Sequence, residues 1–370
     1  MKYYIIAGEA SGDLHASNLI REIKMLDQQA NIRAWGGDLM QEQGAVIVKH
    51  YRDLAFMGFA EVILNLNTIV KNMAFCKKDL MAFRPDVLIL IDYPGFNLRI
   101  AEYAHTQGIK VVYYISPQVW AWKKGRVKTI RKVVDKMLVI LPFEKEFYSQ
   151  NGLEVVFVGH PLLDALALRT NIDEQAFRQI NKLSDKPIIA MLPGSRKQEL
   201  KLMLSEMLKM IAHFPSYQFV VAGAPSINHE IYEGLVGKHQ AAVVYGQTYD
   251  LLRHAKAAMV TSGTATLETA LLGTPEVVCY KGNMISYEIA RRLVHVKYIS
   301  LVNLIMDREV VKELIQDELA VGNLQKELAS LLTDDNKLAR LKADYQELTL
   351  KLGGVGASAN AAAEIFRMLS

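Results

Sequence analysis

Three short stretches carry residue types able to hold phosphate and sugar hydroxyls, and each follows an apolar run. They are Gly8-Glu9-Ala10-Ser11-Gly12-Asp13, Pro193-Gly194-Ser195-Arg196-Lys197-Gln198-Glu199 and Thr261-Ser262-Gly263-Thr264-Ala265-Thr266-Leu267-Glu268. Each reads as strand, small-residue turn, helix, an arrangement that turns the unpaired N–H groups of a helix N-terminus toward a ligand. Arg196 adds a permanent guanidinium charge suited to the oxyanions of a diphosphate leaving group. Ser262, Gly263 and Thr264 offer a phosphate seat, and Glu268, one turn further, offers a carboxylate for both hydroxyls of a ribose. Plainer readings stand beside them: a tight turn capped by Ser11 or Asp13, an Arg196–Glu199 surface pair, and a Ser/Thr cap with Glu268 as its capping-box partner. Three such turns in one chain favour a ligand. The first lacks G-x-G-x-x-G spacing, which disfavours dehydrogenase chemistry.

Asp92 follows the apolar run Val87–Ile91. A carboxylate at the C-terminal edge of a buried strand faces the crevice where open α/β sheets bind ligands, and desolvation there raises its pKa from about 3.9, making it a better base. The plainer reading is a carboxylate that accepts backbone N–H bonds within the Tyr93-Pro94-Gly95 turn. His160, in Gly159-His160-Pro161, is a rival base because an ordinary imidazole titrates near neutrality. It ranks below Asp92, as a structural or substrate-orienting residue. Trp120 and Trp122 read as packing and receive no catalytic role.

Positioning these residues requires two α/β domains. Strand-like runs at Tyr3–Ala7, Val46–Val48, Val87–Ile91, Val111–Ile115, Met137–Leu141 and Val155–Val158 alternate with helical patterns, which predicts a parallel sheet over 1–168. After a polar stretch the alternation restarts at Ile188–Leu192, Phe219–Ala222, Ala242–Val244, Ala258–Thr261 and Glu276–Cys279, predicting a second domain over 169–354. From about Asp307 the pattern is helical with no convincing strand. A break at Leu352-Gly353-Gly354-Val355-Gly356 precedes a last helix, about 355–370, expected to cross back to the first domain. Two such sheets are expected to face each other across a cleft.

Composition agrees with ordinary globular domains: of 370 residues, 51% are hydrophobic and 22% charged, enough for two cores. Cys76 and Cys279 have neither disulfide-framework nor zinc spacing, which fits a reducing cytosol. The N-terminus runs into a glycine turn rather than a secretory cleavage site, and no apolar stretch reaches the roughly 20 residues a spanning helix needs. A net charge of +4 is too mild to argue for nucleic acid.

At these residues the chain resembles the lipid-A-disaccharide synthase family, glycosyltransferases of GT-B architecture. The resemblance spans essentially the whole length. It rests on the opening Gly8–Asp13 turn, Ile91-Asp92-Tyr93-Pro94-Gly95-Phe96-Asn97, Ile115-Ser116-Pro117-Gln118-Val119-Trp120-Ala121-Trp122, Leu141-Pro142-Phe143-Glu144, Val158-Gly159-His160-Pro161, Leu192-Pro193-Gly194-Ser195-Arg196 and Ser262-Gly263-Thr264. It implies inverting transfer of 2,3-diacylglucosamine from its UDP conjugate to 2,3-diacylglucosamine 1-phosphate, with release of UDP and no metal or organic cofactor. By the same resemblance Asp92 is the base and Arg196 stabilises the departing diphosphate. Ser195, Ser262, Gly263, Thr264 and Glu268 then belong to the UDP site with Asn303 and Gln316 near it, and Glu9, Ser11 and Gly12 line the facing wall. Gly95 stands where many relatives carry a second acidic residue, so a two-carboxylate scheme has no support. A peptidoglycan N-acetylglucosaminyltransferase, a UDP-sugar epimerase and a membrane-attached UDP-sugar sensor share the nucleotide turn and remain alternatives.

A soluble chain must still reach acylated substrates. Phe59, Ile63, Leu66, Ile69, Val70 and Met73 recur at helical spacing between Met57 and Phe75, with Lys71, Lys77 and Lys78 beside them. A broad apolar face with cationic flanks suits a helix in the membrane interface, whereas a core-facing amphipathic helix is the commoner use of the pattern. Lys123, Lys124, Arg126, Lys128, Arg131, Lys132 and Lys136 form a basic run suited to anionic headgroups or to plain solvation. Peripheral attachment to the inner membrane from the cytoplasm is the expectation, and the family implies a homodimer with exchanged C-terminal segments.

Overall fold

A computed structural model describes residues 1–54, 66–120, 125–225, 227–237, 239–282 and 297–370. The chain divides into two compact units, Met1–Arg169 with Leu352–Ser370, and Thr170–Lys351.

The first unit is built on a parallel sheet: β1 Lys2–Ala7, β2 Asn31–Gly36, β3 Val46–His50, β4 Val87–Ile91, β5 Lys110–Tyr114, β6 Lys136–Val139 and β7 Val156–Phe157. Their order is β3-β2-β1-β4-β5-β6-β7. Every residue of β4 is buried, as expected of a strand covered by helices on both faces. The core joins Tyr4, Trp35, Leu88, Leu90 and Tyr113 to Cys76 and Leu80 of the helix Leu66–Phe83 and Ile100 of the helix Pro94–Thr106. The order reverses between β1 and β4, the topological switch point. Ala7 pairs with Ile91, so Gly8 and Asp92 leave the sheet side by side.

The second unit repeats the plan with β8 Ile188–Leu192, β9 Gln218–Gly223, β10 Ala241–Tyr245, β11 Ala255–Thr261, β12 Glu276–Tyr280 and β13 Lys312–Ile315, in the order β10-β9-β8-β11-β12-β13. Its switch point lies between β8 and β11, where Leu192 pairs with Val260. The loops leaving these strands are Pro193–Arg196 and Ser262–Gly263.

Two strands escape the hydrophobic pattern. β2 interleaves Asn31 and Arg33 with apolar residues, and β13 is the four-residue edge segment Lys-Glu-Leu-Ile, which corrects the expectation of helix alone after Asp307. The break near Gly353 separates the helices Asp335–Lys351 and Ala357–Leu369. The latter is anchored within the first unit: the Asp164 carboxylate accepts the backbone N–H of Gly356 at 2.6 Å and of Ser358 at 2.7 Å, capping its N-terminus. Lys136 pairs with Glu364 at 2.8 Å further along the same helix. Among the described residues no helix is long and apolar enough to cross a membrane.

Candidate active site

At the first switch point the chain adopts a conformation that ordinary residues resist. Asp92 has φ 43° and Tyr93 φ 48°, and on the neighbouring strand end Ile115 has φ 64°. A left-handed non-glycine residue costs about 1–2 kcal/mol, so this edge carries strain that the surrounding contacts must offset. Those contacts are explicit. The Asp92 N–H donates to Ile115 O at 3.3 Å. The Asp92 carbonyl accepts the Tyr113 hydroxyl at 2.6 Å and the Asn97 amide at 2.7 Å. Gly8 is required opposite, because a Cβ there would lie 2.4 Å from the Tyr93 ring.

The Asp92 carboxyl keeps access to solvent, yet the protein gathered around it removes much of its hydration. That desolvation first, and the charge of Glu9 second, raise its pKa to about 6 against an opposing hydrogen bond from the Tyr93 backbone. Such a carboxyl is ionised at neutral pH and still basic enough to accept a proton from an attacking hydroxyl. Glu9, whose charge acts on it, and Ser11 are exposed, and Gly12 is buried where a Cβ would stand a tight 3.1 Å from Ala7 Cβ. Asp13 caps a different helix from the one expected: its carboxylate accepts the N–H groups of Gly37 at 2.7 Å and of Leu39 and Met40 at 3.2 Å, at the start of the helix Asp38–Glu42.

His160 does not meet the requirements of a rival base. It is buried, its Nδ1 accepts the Leu162 N–H at 3.2 Å as a helix cap, and burial, with His15 nearby, lowers its pKa to about 3. Glu144 carries a signal the sequence left unassigned. Its carboxyl is buried, accepts the N–H groups of Ile140 at 3.2 Å and Leu141 at 3.0 Å, and is pushed up to about 7 mainly by desolvation. Those bonds account for it as the carboxylate that reaches back to the start of the helix Pro142–Gln150, whose N-cap Leu141 has no side-chain acceptor of its own.

At the second switch point Arg196 is the N-cap residue of the helix Lys197–Leu208, and its guanidinium meets Glu199 at 2.8 Å with 69% of the side chain exposed. The plainer reading of that pair is therefore realised, and an exposed pair of this kind contributes only about 0–1 kcal/mol, leaving the guanidinium exchangeable. Ser195 is exposed beside it. The capping-box reading of the third turn is overturned: Gly263 is the N-cap of the helix Thr264–Leu271 and no side chain caps it. The Ser262 hydroxyl donates instead to Ile299 O at 2.9 Å, and Thr264 is exposed. The Glu268 carboxylate accepts the Tyr249 hydroxyl at 2.8 Å, a partner invisible in the sequence, and its pKa is raised chiefly by desolvation.

Asn303 requires a correction. It is buried and its amide is spent: two N–H bonds go to Val311 O and Glu313, and the oxygen accepts the N–H groups of Val310 and Val311. An amide with both donors and both lone pairs used has nothing left for a ligand. Its place is to hold the segment leading into β13. Gln316, at the C-terminal end of β13, differs. It has φ 52°, its Oε1 accepts the Gly282 N–H at 3.4 Å, and its buried Nε2 has no partner among the described residues. The Thr261 hydroxyl, at the end of β11, is likewise buried without one.

A family model for lipid-A-disaccharide synthetase matches residues 3–366. The chain belongs to the lipid-A-disaccharide synthase family. Relatives named lipid-A-disaccharide synthase include that of Syntrophus aciditrophicus (strain SB), 41% identical over 97% of this chain and 95% of the relative. Another, from Geobacter sulfurreducens, is 36% identical over 99% of this chain and 96% of its own length. Among solved structures the glycotransferase of kitacinnamycin has a TM-score of 0.68 at 15% identity, covering 100% of this chain and 99% of that one. The UDP-GlcNAc 2-epimerase of Neisseria meningitidis, bound to UDP-GlcNAc, has a TM-score of 0.67 at 13% identity over 100% and 99%. Likeness at that identity shows the fold, GT-B. A lipid-A-disaccharide synthase is a glycosyltransferase of lipid A biosynthesis, and the family match takes in both sheets of this member.

The proposed membrane helix is described only in part. Phe59 and Ile63 lie outside the described residues, and Leu66 opens the helix Leu66–Phe83. Val70 is 65% exposed and Phe75 44%, with Lys71 and Lys78 also exposed. Ile69 is half-buried. Met73 is corrected to an inward position, packed against the first unit's core. Among the described residues no cluster of three or more His, Cys, Asp or Glu side chains gathers to hold a metal ion.

Proposed function

We propose that this enzyme transfers 2,3-diacylglucosamine from its UDP conjugate to the 6-hydroxyl of 2,3-diacylglucosamine 1-phosphate, with inversion and release of UDP. The observation that carries the reading is the Asp92 carboxyl, fixed on a strained turn at a topological switch point with its pKa raised to about 6. In a single displacement the acceptor hydroxyl loses its proton to Asp92 as its oxygen attacks the anomeric carbon, and the C–O bond to the diphosphate breaks. The leaving diphosphate gains negative charge. Arg196, exchanging Glu199 for the diphosphate, and the N–H groups at the start of the helix Thr264–Leu271 are suited to receive it. Glu268 takes the ribose hydroxyls, and the Gln316 Nε2, without a partner among the described residues, offers a donor on the same sheet edge. Ser195, Ser262, Gly263 and Thr264 complete the nucleotide seat, while Glu9, Ser11 and Gly12 border the acceptor.

The acylated substrates are met at the cytoplasmic surface of the inner membrane. Exposed Val70 and Phe75 with Lys71 and Lys78 support docking through the helix Leu66–Phe83, and a second copy of the chain exchanging C-terminal segments is part of the same proposal. Purified protein incubated with both diacylated sugars is expected to yield UDP and a disaccharide 1-phosphate by mass spectrometry. Asp92→Asn is expected to abolish transfer while calorimetry shows UDP still bound. No disaccharide from the wild-type protein sinks the assignment, and wild-type turnover by Asp92→Asn removes Asp92 as the base.

A further inference from the structure

We infer that Asn97 and Tyr113 are positioning residues that aim the Asp92 carboxylate, acting through the Asp92 carbonyl rather than through substrate. The inference rests on the reading of Asp92 as base. The left-handed turn just past the end of β4 leaves the Asp92 carbonyl outside the strand ladder, and its hydrogen bonds come from side chains instead. Two side chains from different elements supply them. Tyr113, on β5, donates its hydroxyl at 2.6 Å. Asn97, on the helix Pro94–Thr106, donates its amide at 2.7 Å and reaches Ile91 O at 3.2 Å as well. Both side chains are fully buried, so neither competes with solvent for the bond.

The consequence is geometric. On one flank the Asp92 N–H is tied to Ile115 O, and on the other the Asp92–Tyr93 peptide plane is tied to Asn97 and Tyr113. With both peptide planes held, the torsions at the Asp92 Cα are held too, and they set the direction of its Cβ. Release of the carbonyl lets φ relax from 43° toward the right-handed regions, which swings the carboxyl away from its position. Tyr113 and Asn97 thus convert a costly backbone conformation into an aimed side chain, without touching the reacting atoms.

Tyr113→Phe removes one oxygen and leaves the ring filling the core; Asn97→Ala removes the other donor. Each is expected to lower kcat by roughly 10- to 100-fold, the cost of misplacing a reacting group, with KM for the UDP-sugar and calorimetric UDP affinity unchanged. In an Asp92→Asn background the same substitutions are expected to change the residual rate by less than about twofold, because the group they aim is already disabled. Equal losses in both backgrounds, or wild-type kcat in both single variants, overturn the inference while leaving Asp92 as base. Wild-type kcat in Asp92→Asn overturns the base reading, and this one with it. Should Asn97→Ala fail to fold, Tyr113→Phe decides alone.

Discussion

The two switch points occupy equivalent places in their sheets but are built from opposite materials. In the first unit the turn after β4 uses non-glycine residues in left-handed conformations, Asp92 at φ 43° and Tyr93 at φ 48°. In the second, the turns after β8 and β11 use glycine, Gly194 at φ 98° and Gly263 at φ 153°. A left-handed non-glycine residue carries a side chain into a position that side chains rarely occupy; a glycine there leaves space for a ligand to approach the backbone. On the proposed reading the first edge aims a group and the second clears a seat. Gln316, at φ 52° in the second unit, follows the first edge's pattern, and its buried Nε2 has no partner among the described residues.

Glycine replacements at the two edges separate these roles. A Cβ at Gly8 would sit 2.4 Å from the Tyr93 ring, so Gly8→Ala displaces Tyr93 and Asp92 beside it. The expected loss in kcat is about 100-fold with UDP affinity intact. Gly263 meets no atom within 4 Å, but its φ of 153° with ψ −163° belongs to glycine alone. Strain of about 1–3 kcal/mol in Gly263→Ala predicts UDP affinity weakened roughly tenfold or more, with kcat falling less. Steady-state kinetics beside UDP calorimetry reads both. If Gly8→Ala weakens UDP binding as strongly as Gly263→Ala does, the division of labour collapses.

A pH series sharpens the same contrast with a smaller effect. As the proposed base Asp92 must be ionised to accept a proton, and its pKa is raised to about 6. Turnover is therefore expected to be near its plateau above neutrality and to fall through a midpoint near that value, approaching tenfold per pH unit on the acid side. The limb should vanish from the residual rate of Asp92→Asn. A midpoint in the ordinary carboxylate range near pH 4 instead means that the edge does not desolvate its base.

The alternation of apolar runs with helical patterns made the two parallel sheets legible, because strands such as Val-Leu-Ile-Leu-Ile of β4 are buried on both faces and need no polar residues. Short mixed strands at or near the sheet edges were not legible: β2 carries Asn31 and Arg33 and is absent from the strand-like runs, and β13 carries Lys312 and Glu313 within a stretch that read as helical. The turns at Gly8, Gly194 and Gly263 were readable as strand-to-helix joints. Their hydrogen bonds were not, since Asp13 reaches Gly37 across 24 positions and Tyr249 reaches Glu268 across 19. Tyr113 is the clearest case. Within Val-Val-Tyr-Tyr it is one more β-former, and only the folded register against β4 brings its hydroxyl to the Asp92 carbonyl.

The smallest expected effect lies away from either edge. Glu276 opens β12 at the sheet end opposite the ligand turns, 0% exposed, with neither carboxyl oxygen hydrogen-bonded among the described residues. Burial alone raises its pKa well above the ordinary carboxylate value, so the folded protein keeps the proton that the unfolded chain releases. The folded state then binds more protons, and stability declines as pH rises from the ordinary carboxylate range toward the raised pKa, by at most about 1.4 kcal/mol per pH unit for this one group. Glu276→Gln, which mimics the protonated acid, is expected to match the wild type near pH 5 and to exceed its urea midpoint increasingly toward pH 8, with kcat and UDP affinity unchanged. A variant whose advantage is the same at both pH values shows that Glu276 does not titrate with folding. A variant that loses UDP affinity ties the far end of β12 to the nucleotide seat, and the contrast between an edge that binds and a base that only supports it no longer holds.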